Sequence, residues 1–193
     1  DYGISNKFGK PSPDDITNIL NFAESHGIKC IDTAPIYGNS EKLLGKNNLE
    51  KFDLITKTLP LTRTKSDKFF DLSYLSEGLD HSLNKLGLTR LYGLLIHRPN
   101  DLLQEESIKL YGWLCKQKEL GLVEKIGISV YSQQEIEQLI KTFKFDIIQL
   151  PVNIIDQRLI HSGTLNQLYN LGVEIHCRSA FLQGLLLTDL SQL

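Results

Sequence analysis

The sequence predicts an α/β fold, a (β/α)8 barrel that is incomplete in this chain, with residues 1–193 forming one partial barrel domain. Apolar runs of strand length alternate with amphipathic stretches of helix length. Strand follows strand at intervals of roughly 30 residues, the size of a βαβ unit. Most of the runs are apolar nearly throughout, as in parallel strands covered on both faces. An open doubly wound sheet is the competing architecture. It often carries a Gly-rich phosphate loop after a strand, and Gly3, Gly9 and Gly27 do not make one.

The first strand candidate is Ile28 to Asp32, reached through His26-Gly27, a glycine helix stop. Later candidates are Phe52 to Lys57, Leu91 to His97, Ile126 to Val130, Phe145 to Leu150 and Val173 to Ser179. Pro13 to Ser25 reads as a helix, with Ser12 as cap, proline in the first turn and Asp14 and Asp15 following. Ile16, Ile19, Leu20 and Ala23 give it an apolar face. Ser76 to Leu86 ends at Gly87, Ile108 to Leu120 at Gly121, and Leu165 to Leu171 at Gly172. Ser132 to Thr142 opens on Ser132 with Glu135 three residues on, a capping box. Six strands are visible in 193 residues, whereas a complete barrel of ~250 residues needs eight.

Composition narrows the function. The chain is 41% hydrophobic and 23% charged, ordinary for a globular protein, and its net charge of -2 offers no basic field for nucleic acid. No apolar run reaches the ~18 residues of a membrane span, and no signal peptide opens the chain. Cys30, Cys115 and Cys177 are odd in number and widely spaced, which favours a reducing, cytoplasmic setting. Each lies in an apolar stretch and reads as a buried structural thiol. His161 and His176 read as structural, His81 as a solvated-face residue, and Lys116 to Lys125 as a solvated helix face. Glu174 falls near the wrong end of its strand for catalysis.

Four polar residues stand at or just past the ends of three apolar runs: Asp32 and Tyr37, Lys57, and His97. The carboxyl ends of parallel strands converge on one face, so these positions predict one shared site. A free tyrosine titrates near 10. An ammonium at ~4 Å in an effective dielectric near 20 is worth about 4 kcal/mol, enough to bring a phenol toward physiological pH. Asp32 would keep Lys57 charged, Lys57 would acidify Tyr37, and His97 would orient a substrate oxygen. This set suits carbonyl reduction with Tyr37 as proton donor, and the hydride must come from a cofactor. Lys57 as a Schiff-base nucleophile is a second enzyme reading, opposed by the carboxylate that keeps the amine protonated.

Ile31-Asp32-Thr33-Ala34, Tyr37-Gly38 and Glu41-Lys42-Leu43-Leu44-Gly45 together resemble the signature of the aldo-keto reductase family. Thr56-Lys57-Thr58 and Leu95-Ile96-His97-Arg98-Pro99 fall where that family keeps its catalytic lysine and histidine, and Gly121 to Ser129 resembles its fifth-strand motif. The resemblance implies a (β/α)8 TIM barrel and reduction of an aldehyde or ketone with NADPH or NADH. By the same resemblance Ser129 and Gln149 hold the nicotinamide carboxamide, while Val130 stands where the family often has asparagine. Arg178 and Ser179 open the seventh-strand loop beside the nicotinamide and pyrophosphate. The family usually stacks an aromatic residue there. Arg178 can stack through its planar guanidinium, but its charge disfavours the oxidised ring. This departure resembles a bacterial subgroup, some of it linked to surface sugar metabolism, so the expected substrate is a small carbonyl compound of which a sugar derivative is one class.

Asp1 to Asn6 resembles the loop after the family's first strand, and the chain stops after the seventh. The expectation is that strands one and eight are absent, that two strand edges lie open, and that this chain alone binds dinucleotide weakly or not at all. The non-catalytic alternative is therefore a silent nicotinamide-binding module or a truncated remnant.

Overall fold

The computed structural model describes residues 3, 6, 9–61 and 72–189. Most of the segment resembling the loop after the first strand lies outside the described residues, as does Leu193. The strands are β1 (Cys30–Asp32), β2 (Asp53–Lys57), β3 (Leu91–Ile96), β4 (Val123–Ser129), β5 (Ile147–Pro151) and β6 (Glu174–Arg178). All are parallel and pair in sequence order within one six-stranded sheet. The helices are α1 (Pro13–Ser25), α2 (Ser40–Leu44), α3 (Leu72–Leu86), α4 (Ser107–Glu119), α5 (Gln133–Leu139), α6 (Arg158–His161) and α7 (Thr164–Asn170).

The sheet is curled. In a flat sheet, five strand spacings would hold β1 and β6 about 24 Å apart. Instead Cys30 Sγ of β1 lies 3.9 Å from His176 Nδ1 of β6, and Gln149 Nε2 of β5 donates to Asp32 Oδ1 of β1 at 3.0 Å. Six strands thus form an incomplete barrel, in agreement with the predicted class.

Local chemistry sets the helix ends. Ser12 and Asp15 make a reciprocal capping box at α1, and Ser132 and Glu135 make another at α5, so exposed amide donors find oxygen partners. Helix α3 begins at Leu72, four residues before the sequence expectation, while the short α2 and α6 were not anticipated. Five residues or fewer give little periodic signal.

The outward strand faces carry Leu54, Leu94, Ile96, Ile126, Ile128, Ile148 and Leu150. They bury against Leu79, Leu83, Leu110, Leu114 and Ile136 of the surrounding helices. Each such side chain stabilises by about 1.5–3 kcal/mol. Inside the curl, Ile55, Leu95 and Ile147 form a smaller apolar cluster. A Cβ on Gly127 would sit 2.2 Å from the Ile147 carbonyl oxygen, so glycine is what lets β4 approach β5 there.

Three sequence expectations are corrected. Cys30 and Cys177 are exposed, because β1 and β6 are the sheet's edge strands, and Cys115 on α4 is only partly buried. For the same reason those two strands are not buried on both faces. Lys125 is not on a solvated helix face: α4 ends at Glu119, and Lys125 lies on β4, bonded to Tyr92 and Glu174. Tyr92 Oη donates to Glu174 at 2.8 Å, and His176 Nε2 lies 2.6 Å from the same carboxylate. Burial alone would raise the Glu174 carboxyl, but the bonds from Lys125, His176 and Tyr92 outweigh it and hold it at about 2. Among the described residues no helix is long and apolar enough to cross a membrane.

Candidate active site

The four residues expected to share a site are brought together at the carboxyl ends of β1, β2 and β3. Asp32 is the last residue of β1 and Lys57 the last of β2, and His97 follows β3 directly. Tyr37 comes from the turn after β1, where the Tyr37 amide donates to the Ala34 carbonyl at 3.0 Å. The Thr33 and Ser40 hydroxyls, 2.7 Å apart, tie the two ends of that turn.

Lys57 is only 2% exposed. Its ammonium donates to both Asp32 oxygens at 2.7 Å and to the Thr33 carbonyl at 2.9 Å, so all three N–H groups are used. Burial pulls its pKa down, and the charge and hydrogen bonds of Asp32 push it up. Burial wins, and Lys57 sits below the ordinary lysine value. The carboxylate expected to keep Lys57 charged therefore offsets only part of the effect of its burial.

Tyr37 is 47% exposed, with the Lys57 ammonium 5.1 Å from its ring centroid. The His97 ring meets Tyr37 edge-on at 6.0 Å. Burial, then the Lys57 and Arg98 charges, lower His97 to about 4, so at neutral pH the imidazole is uncharged. Its Nδ1 is buried with no hydrogen-bond partner among the described residues. An unfilled acceptor costs less there than an unfilled N–H donor, which favours the tautomer with the proton on Nε2.

The four residues expected at the cofactor lie on the same end of the sheet. Ser129 ends β4, and Gln149 pairs with it in register on β5. Both are buried, and the Gln149 amide is engaged with Asp32. Arg178 ends β6, donates to the Val130 carbonyl at 3.1 Å, and stacks with its Cζ 4.0 Å from the Tyr131 ring centroid. Its Nε is buried with no partner among the described residues. Ser179 follows with φ +59°, and Asn153 Nδ2 donates to its carbonyl at 3.3 Å.

Several supporting residues escaped the sequence reading. Tyr131 braces Arg178, Asn153 supports the Ser179 turn, and Thr58 accepts the His97 amide at 3.3 Å. Glu41 is buried and accepts from Thr56 Oγ1 at 2.8 Å, locking α2 to the strand that carries Lys57. Glu41 is visible in the sequence only as part of the motif Glu41-Lys42-Leu43-Leu44-Gly45, and the polar residues before it give no local sign of its burial.

The profile of the Aldo/keto reductase family matches residues 2–191, nearly the whole chain. The chain belongs to this family. Among its relatives, the Uncharacterized oxidoreductase YtbE of Bacillus subtilis is 27% identical over 178 residues, covering 90% of this chain and 61% of YtbE. An aldo/keto reductase from Klebsiella pneumoniae, solved with NADP and acetate, superposes with a TM-score of 0.75 at 19% identity over 95% of this chain and 64% of its own. The holo form of an aldo-keto reductase from Bacillus halodurans gives a TM-score of 0.73 at 22% identity, over 92% of this chain and 61% of that one. At these identities the superpositions establish the aldo-keto reductase barrel fold. The chain spans about three fifths of the length of these relatives.

Proposed function

We propose that this chain carries the active site of an NAD(P)H-dependent reductase acting on small aldehydes or ketones. One observation carries the reading: Asp32, Lys57, Tyr37 and His97 lie in one cluster at the carboxyl ends of successive strands. Bound nicotinamide would supply a hydride to the carbonyl carbon. Tyr37 is the group that gives its phenolic proton to the carbonyl oxygen. The Lys57 ammonium near the ring favours the phenolate left behind, and Asp32 fixes that ammonium in place. Neutral His97, protonated on Nε2, offers a hydrogen bond that orients the oxygen without competing as the acid.

The residues present fit a nicotinamide. Buried Ser129 and Gln149 offer a hydroxyl and an amide to a carboxamide, and Arg178 Nε, unpartnered among the described residues, leaves donor capacity at the same rim. The left-handed turn at Ser179 suits the pyrophosphate side. The Schiff-base reading is weaker, since all three Lys57 N–H groups are committed to oxygens and the nitrogen has no free lone pair in that arrangement. The substrate class we infer is a small carbonyl compound, a sugar derivative included. The setting we infer is the cytoplasm, consistent with three free cysteines.

Absorbance of NADPH at 340 nm, with a panel of aldehydes, tests the reading. With NADPH in excess, to offset the weak dinucleotide binding expected of this chain, the parent should oxidise NADPH, and Tyr37→Phe should lower kcat by about 100-fold or more, the scale of a lost general acid. Equal turnover by the two proteins would overturn the assignment of Tyr37.

A further inference from the structure

Arg178 is held at the mouth of the curl by unusual means. One face of its guanidinium lies on the Tyr131 ring, Nη2 donates to the Val130 carbonyl at 3.1 Å, and Nε has no partner among the described residues. Among the described residues no carboxylate makes an ion pair with it. The one acid of the cluster, Asp32, already serves Lys57 and Gln149. Among the described residues the rim therefore carries a positive charge with no ion-pair partner, placed by a half-exposed aromatic ring.

We infer that Tyr131 and Arg178 form a cationic platform that makes this site hold reduced nicotinamide more tightly than oxidised nicotinamide, with Tyr131 as the positioning residue. The inference rests on the nicotinamide site proposed above. The reduced ring is neutral and the oxidised ring carries one positive charge, so a fixed cation beside it penalises only the oxidised form. The charge reaches into the site, because Arg178 also contributes to lowering both Lys57 and His97. For a cation ~6 Å from the ring at an effective dielectric near 20, allowing for solvent screening, the expected discrimination is on the order of 10- to 100-fold. Tyr131 matters because a guanidinium stacked on an aromatic face gives up its freedom to swing into solvent. Product release would be the step this platform favours: once the ring is oxidised, it is the less tightly held form.

Reduced and oxidised nicotinamide mononucleotide isolate the ring charge, since neither carries adenosine. Their affinities for the chain are to be measured by NMR titration in the parent and in Arg178→Gln, Tyr131→Leu and Tyr131→Phe. The parent should bind the reduced form at least 10-fold more tightly. Arg178→Gln should bring the ratio below about 3, Tyr131→Leu should lower it, and Tyr131→Phe should keep it. A variant that merely folds poorly loses both affinities together and leaves the ratio alone. A parent ratio below about 3, or an unchanged ratio in Arg178→Gln, overturns the platform while the nicotinamide site stands. An unchanged ratio in Tyr131→Leu overturns the role of Tyr131. Binding of neither mononucleotide overturns the nicotinamide site and this inference with it.

Discussion

Replacing Asp32 by Asn leaves a lysine ammonium in a place built for an ion pair. In the parent, Lys57 Nζ lies 2.7 Å from both carboxylate oxygens, with the lysine side chain 1% and the aspartate side chain 35% exposed. At ~4 Å between charge centres and an effective dielectric near 20, the attraction is about 4 kcal/mol. The partial exposure of Asp32 reduces the net loss to about 2–3 kcal/mol. The loss depends on pH in a definite direction. Burial already holds Lys57 below the ordinary lysine value, and removing Asp32 takes away what pushes it back up. A lysine with a depressed folded-state pKa costs stability wherever the unfolded chain is protonated. The cost is therefore absent well above the unfolded value of about 10.4, grows as pH falls below it, and levels off below the folded value. Urea unfolding of parent and Asp32→Asn should differ by about 2–3 kcal/mol at pH 7 and by less than about 1 kcal/mol at pH 10. An equal difference at both pH values would refute the account, since it would mean the carboxylate acts by packing rather than by charge.

Other measurements reach different parts of the structure. The His97 ring, followed by NMR, should titrate near pH 4, and the stability tied to it should be intact above about pH 6.5 and lost as pH falls toward 4; a midpoint at 6 or above contradicts its burial beside Lys57. Gly127→Ala should cost more than about 3 kcal/mol, because the new Cβ meets the Ile147 backbone oxygen at 2.2 Å. Gly93→Ala should cost about 1–2 kcal/mol, because its Cβ meets the Ile147 and Ile55 side chains at 3.0 and 3.1 Å. Thermal unfolding should rank the two in that order. Lys125→Met should cost about 1 kcal/mol at pH 7. Glu174 is held at about 2, so the parent should lose stability as pH falls from the ordinary carboxyl range toward 2, and the variant should show a flatter acid limb.

The strand order and the clustering of Asp32, Tyr37, Lys57 and His97 were legible in sequence because both depend on local pattern. A strand buried on both faces is an apolar run, and a polar residue at its end is conspicuous. Asp32, Lys57 and His97 are therefore visible without a structure, and Tyr37 through the motif that follows Asp32. The capping boxes at Ser12 and Ser132 were legible for the same reason, being spacings of three residues. What escaped depends on contacts between segments distant in the chain. Cys30 and Cys177 look like core cysteines in an apolar stretch, and only the position of β1 and β6 at the sheet edges exposes them. Lys125 follows a charged helix, and nothing local announces that its partner is Glu174, 49 residues away. The net effect on Lys57 was also hidden, since a sequence names the carboxylate beside it but not the depth at which both are set. Tyr131 could have been suspected from its place directly after a strand, yet its contact with Arg178 joins residues 47 positions apart in number.

Asp32 receives hydrogen bonds from β2 through Lys57 and from β5 through Gln149. Strand β1 has no ladder with β5, so this carboxylate is a cross-brace spanning the bowl of the sheet. The curvature of the scaffold and the chemistry proposed for its mouth thus share a single part. Drift at Tyr37, which sits on a surface turn, can silence the chemistry and leave the architecture alone. Drift at Asp32 slackens both at once. If the proposed reduction were no longer needed, the phenol could be lost without touching the scaffold, whereas the aspartate would still be held by its bonds to β2 and β5.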